Sequence, residues 1–442
     1  MDGTDEPLRR ELAVWRALDG EAPFPYDSTV DHLRAVGKHF LGEELLELLA
    51  ACRSLNRERN SAVFPDAFLG RFLDVLLDKF DDRYDYPSYT ALPLLLHGWG
   101  EASSGAADGA VGEAANVTDA VTGDAAEGGQ GLCDRRDRMV LLLLADLIGF
   151  ESLVLDGTPA DPRGMLPPPL LLSKRLRLAV RVMEPAALRV LEGSVDPVAL
   201  AVTPGRTPAR ELADAVLATA GERERLLLRA SVQPVHVLHD EYLFLRVLQC
   251  FEATFTFMSA TLRTAVSVLR GECPGDAAAL IAEVADVLRE SLPLFSLLAT
   301  MQPASFQSFR QFTDGASAIQ SEGYKRFESY CSTPARARLD SAAFTSVPRV
   351  RGAVLAGRET VQGTWEDVIS SGWLAEPDAA AVRAAARQLE AVHQRWKQTH
   401  YRLAVRMIGT RTGTGSTEGV PYLESVISGR LFPAMEQQPA GG

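Results

Sequence analysis

The 442-residue chain contains no run approaching 18 consecutive apolar residues, the length a membrane-spanning helix requires. Its first ten residues, MDGTDEPLRR, have neither the basic start nor the apolar stretch of a secretory signal. Membrane insertion is not expected, and the chain reads as cytoplasmic. Cysteine is scarce: Cys52, Cys133, Cys250, Cys273 and Cys331 are odd in number and far apart, with no Cys-x-x-Cys pair. Neither a disulfide framework nor a zinc knuckle is predicted. Positive charge is in deficit, with 45 Lys+Arg against 58 Asp+Glu and a net charge of −13. Such a surface repels a phosphate backbone, so nucleic acid is not an expected partner. Alternating apolar and polar positions, the mark of half-buried strands, are also rare.

What is present is apolar content at helical spacing. With 46% hydrophobic and 23% charged residues, a chain of this length can fill roughly three domains of about 150 residues each. Apolar residues recur at i, i+3, i+4 and i+7 from residue 28 to residue 430, which predicts an all-α fold. Segment 101–130, EASSGAADGAVGEAANVTDAVTGDAAEGGQ, has no aromatic residue and is dominated by Gly, Ala, Ser and Asp. It reads as a flexible loop, because it cannot bury enough apolar surface to offset its ordering entropy. Pro-rich breaks at 158–169 and 203–210 suggest a division into an N-terminal helical accessory domain (1–205) and a C-terminal domain (206–432), with a frayed tail at 433–442.

Candidate chemistry concentrates in the second part. Between Glu376 and Gly409, Pro377 suits a first helical turn and Gly409 a stop, so one long helix is predicted. Leu389, Val392, Trp396, His400, Leu403 and Met407 form its apolar stripe, and His393 is read as off that line. A neutral imidazole in an apolar wall suits axial ligation of haem iron, while a lone histidine on such a face is more often a hydrogen-bonded core residue. The stripe alone leaves both readings open. The following loop, GTGSTEG, carries Gly413, Gly415 and Gly419, which let a backbone approach a ligand, with hydroxyls at Thr414, Ser416 and Thr417. Upstream, Phe306, Phe309 and Phe312 surround Arg310, an arrangement suited to bidentate capture of a carboxylate. His32 and His39, seven residues apart, are read as surface or packing residues rather than a metal pair.

Three ordered blocks carry a family resemblance. The first is Asp240-Glu241-x-Leu243-Phe244. The second is Phe306-x-x-Phe309-Arg310 running into Ala316, Ser317, Gln320 and Ser321. The third is His400 followed by Arg406-Met407-Ile408-Gly409 and the Gly413-Thr414-Gly415 loop. Together they resemble the tryptophan 2,3-dioxygenase family of haem-dependent aromatic oxygenases, over about 240–432. The resemblance implies a helical catalytic domain holding haem b, with O2 as co-substrate and a small aromatic amino acid as substrate. Position by position it implies that His400 is the proximal haem ligand, with Ser317 at the haem edge and Gly413 and Gly415 beside the cofactor. Arg310 would grip the substrate carboxylate, Thr414 would bind its ammonium, and Phe306 and Phe244 would wall the distal pocket. Tyr86-x-x-Tyr89 resembles a family segment that packs over a neighbouring subunit's pocket, which would imply a homo-oligomer.

Three departures qualify the transfer. Leu248 stands where the family commonly has a distal histidine, and a leucine cannot accept an indole N–H. Glu252-Ala253-Thr254-Phe255 stands where the family has Glu-Leu-Trp-Phe, and Ser416-Thr417-Glu418 replaces Gly-Ser-Ser. The predicted activity is oxygen insertion into the indole ring of L-tryptophan or a derivative, as in tryptophan catabolism, giving an N-formylkynurenine. Two alternatives stand beside it: a monooxygenase or peroxygenase acting on a modified aromatic amino acid, and a haem-binding helical protein without catalysis.

Overall fold

A computed structural model describes residues 5–59, 66–101, 129–157, 165–191, 208–271, 275–313, 315–372, 375–409 and 419–435. The fold is all-α, with no strand among the described residues. No described helix is long and apolar enough to cross a membrane. Most of the segment read as a loop, the 203–207 linker and the end of the tail lie outside the described residues, although helices extend to Glu101 and resume at Gly129.

The bundle is built around the 32-residue helix His239–Arg270, whose apolar residues run round its whole circumference. A helix without a polar face must be enclosed, and even Asp240, Glu241, Arg246, Gln249 and Glu252 are fully buried. It packs against Gly275–Leu298, Gly129–Leu155 and Glu322–Cys331, while Gly275–Leu298 also lies along Glu376–Ile408. The last of these spans 33 residues, with Pro377 in its first turn, Glu376 and Asp378 at its positive end and Gly409 at φ 62° ending it. One continuous core runs from Leu8 to Met435 and draws side chains from both sides of residue 205. A smaller cluster around Phe344 and Val350 packs against Tyr422.

Because the central helix buries charges, partners must be buried with them. Arg175, 1% exposed, donates to Glu151 at 3.0 Å, to Asp240 at 2.6 Å and to Thr300 Oγ1 at 3.1 Å. Asp240 in turn accepts the Gln302 N–H at 2.6 Å, and His239 meets Glu151 at 3.1 Å. This network fixes the start of the central helix against the turn that leads into Pro303–Arg310. Arg175→Met would leave two buried carboxylates without their cation, at a cost of about 3–5 kcal/mol. Urea unfolding should show that loss, and an unchanged midpoint would mean that the network contributes nothing to stability.

Candidate functional site

Four stretches distant in sequence meet at a cavity of about 280 Å³. The central helix presents Phe244, Leu248 and Glu252, positions i, i+4 and i+8 of one face. Pro303–Arg310 brings Phe306, Phe309 and Arg310; Glu376–Ile408 brings Trp396 and His400; and the short turn Tyr86–Tyr89 brings both its tyrosines. Sequence spacing singled out Phe306, Arg310 and His400, the family resemblance added Phe244, Leu248 and Ser317, and all six line this one cavity. Gly413, Thr414 and Gly415 lie outside the described residues. Gly419, at φ 75°, and Tyr422 reach the cavity from the next described segment.

The end of the cavity near Arg310 is aromatic. Phe244 meets Phe306 at 5.6 Å and Phe309 at 5.5 Å between ring centroids, and Phe306 and Phe309 cross edge to face at 85°. Phe312 is not part of this wall. Two residues beyond Arg310 and past the helix end, it turns to Phe40, His39 and His236, at 5.1, 4.9 and 4.8 Å. The two N-terminal histidines do not share a site: His32 meets Asp5 at 2.9 Å, whereas His39 stacks in the Phe312 cluster.

His400 stacks nearly parallel on Phe295, at 5.7 Å and 18°, and lies 5.4 Å from Trp396. Burial among these rings pushes its pKa down to about 4, because the apolar wall disfavours the charged form. The imidazole is therefore neutral and keeps a lone pair at neutral pH. His393, read from the sequence as off the stripe, is itself buried, since seven residues return to nearly the same helical face. Its Nε2 pairs with the Tyr324 hydroxyl at 2.8 Å. A neutral nitrogen donor on a cavity wall fits the axial ligand that a haem needs, and of the two histidines only His400 lines the cavity. Among the described residues no three His, Cys, Asp or Glu side chains converge as a separate metal site.

The Tyr86–Tyr89 turn is capped by Asp85, which accepts the Ser88 N–H at 2.7 Å. The Tyr86 N–H donates to Gln320 Oε1 at 2.9 Å, and the same oxygen accepts the Ser317 N–H at 3.2 Å. The tyrosines that the family resemblance would set over a neighbouring subunit's pocket thus line the cavity of their own chain. Tyr89 donates to Glu241 at 3.4 Å. Glu241 also accepts the N–H groups of Val235 and His236, yet burial still pushes its carboxyl up to about 8.

Sequence reasoning gave no role to a second polar group on the cavity wall, made of Glu252, Lys325 and Tyr324. Glu252 and Lys325 are enclosed, and the Lys325 ammonium sits 4.7 Å from the Tyr324 ring centre. The available signal was the missing polar face of the central helix, which leaves Glu252 nowhere to go but inward.

A helical bundle that surrounds a largely aromatic cavity, with the neutral His400 and the cationic Arg310 and Arg338 on its wall, is of a class suited to flat, anionic small molecules. No family model matches the chain. Comparison with curated proteins finds similarity to tryptophan 2,3-dioxygenases. The enzyme of Burkholderia mallei (strain SAVP1) is 27% identical over 231 residues, covering 45% of this chain and 75% of its own length. That of Polaromonas naphthalenivorans (strain CJ2) is 27% identical over 235 residues, covering 46% and 83%. These matches support a place for the chain near the tryptophan 2,3-dioxygenase family.

Proposed function

We propose that this protein is a haem-dependent oxygenase that inserts O2-derived oxygen into the indole ring of L-tryptophan or a tryptophan derivative. The observation that carries the reading is that His400, Arg310 and the Phe244–Phe306–Phe309 wall line one cavity. His400 would hold the haem, and Ser317, on the same cavity wall, is proposed for the haem edge. When bound, the haem supplies the activation of dioxygen. The protein supplies position. Arg310 offers a planar fork to the substrate carboxylate, and the three phenylalanines hold the indole in a fixed plane. Thr414 is proposed for the ammonium, with Gly413 and Gly415 letting the backbone come close. These walls also keep water from the reacting ring.

Leu248 favours a second reading. It lies on the cavity wall between Phe244 and Glu252 and offers no acceptor or proton carrier, which suits transfer of a single oxygen to a modified aromatic amino acid. Product mass after incubation with L-tryptophan and isotopically labelled O2 separates the two. Two labelled oxygens in an N-formylkynurenine are expected; one labelled oxygen supports the monooxygenase reading; no oxygenated product removes both for this substrate.

A further inference from the structure

Glu252 is fully enclosed on the central helix and lines the cavity, yet neither of its carboxyl oxygens has a hydrogen-bond partner. Leaving a buried carboxyl unmatched is among the costlier things a fold can do, so such a group calls for an explanation. Its surroundings hold it in place without satisfying it. The Tyr86 and Ser321 hydroxyls and the Lys325 charge interact with the carboxyl, but neither hydroxyl completes a well-aligned hydrogen bond. The adjoining helix closes over it so tightly that a side chain at Gly323 would come within 3.2 Å of Glu252 Oε2 and 3.1 Å of Phe255 Cβ. Burial pushes the carboxyl up to about 7, against the pull of Ser321, Tyr86 and Lys325.

Position along the helix says which part of a ligand would arrive there. Phe244 packs on Phe309, the neighbour of Arg310, and Glu252 lies eight residues further along the same face. At about 1.5 Å per residue this is about 12 Å, or two turns. A ligand anchored by its carboxylate at Arg310 has its α-ammonium beside that anchor, out of reach of Glu252. The part that extends toward Glu252 is the ring.

We propose that Glu252 is a specificity-determining residue whose carboxyl accepts a hydrogen bond from a ring N–H, so that the cavity selects nitrogen heteroaromatic amino acids over carbon- or sulfur-ring analogues. This rests on the aromatic amino acid reading above and adds the selection of the ring. An acceptor held in a dry pocket discriminates strongly, because a ligand without the donor leaves the carboxyl unpaired.

The test is calorimetric titration of the protein as purified with L-tryptophan and with 3-(benzothien-3-yl)-L-alanine, in which sulfur replaces the ring N–H. Wild type should prefer tryptophan by about tenfold or more. Glu252→Met keeps the volume and removes both acceptors, and should bring the ratio close to one by weakening tryptophan binding alone. Glu252→Gln retains one carbonyl acceptor and should keep a preference for tryptophan. A wild-type ratio near one, or an unchanged ratio in Glu252→Met, overturns the role of Glu252 and leaves the aromatic amino acid reading standing. Failure of wild type to bind either ligand overturns that reading and the inference with it. Melting curves of the variants show whether they are folded; were Glu252→Met not to fold, Glu252→Leu, which also removes both acceptors, is titrated in its place, and an unchanged ratio there overturns the role of Glu252.

Discussion

His400→Ala should lose the Soret band of the purified protein, or hold haem so weakly that it is removed by gel filtration, while the fold persists. The histidine donates no hydrogen bond to another side chain among the described residues and stacks on Phe295 and Trp396, so its removal costs packing only. Its ring, held neutral with a pKa of about 4, is the cavity's one histidine nitrogen donor among the described residues. Noncovalent attachment is expected, because the sequence contains no Cys-x-x-Cys-His. His393→Ala is the matched control. It breaks the 2.8 Å contact with Tyr324 and should lower the melting temperature without altering the visible spectrum of the remaining folded protein. The assignment fails if His400→Ala retains a wild-type Soret band and His393→Ala loses it.

Arg310→Lys should keep the haem spectrum and weaken aromatic amino acid binding by about ten- to a hundredfold, the loss of a charge-assisted bidentate pair worth roughly 1.5–3 kcal/mol. Lysine preserves the charge but not the planar fork. Tryptamine, which lacks the carboxylate, supplies the complementary measurement: it should bind wild type poorly and lose little further affinity in the variant. If tryptamine and tryptophan perturb the spectrum equally in wild type, Arg310 does not clamp a carboxylate.

The parts of the site legible in the sequence were those set by helical spacing. His400 could be placed on an inward stripe because 3.6-residue periodicity fixes which side chains share a face, and the aromatic spacing before Arg310 marked Phe306 and Phe309 as its wall. Phe312 was misread because it falls past the last turn of its helix, where periodicity no longer governs direction. Glu252 and Arg175 were invisible for a different reason. A charged residue in an amphipathic pattern is assigned to solvent, and the helix that carries Glu252 has no solvent face. Joining Tyr86 to the same cavity depends on tertiary contacts across more than two hundred residues, about which local pattern says nothing. The division at residue 205 rested on proline-rich composition, and the core found in the structure draws on both sides of it.

The bond from the Tyr86 amide to Gln320 joins positions 234 residues apart in the chain. Contacts of such sequence separation carry a large loop-closure cost and tend to form late, after the local helices. The bundle can therefore assemble its core before this wall of the cavity is in place. The turn comprises four residues and so holds few bonds of its own. Its place is held by the rest of the fold: Tyr86 and Tyr89 are buried, and the Tyr86 amide and Tyr89 hydroxyl bond to Gln320 and Glu241. This wall of the cavity is thereby expected to close only after the long helix that carries His400 and the short one that carries Arg310 have packed.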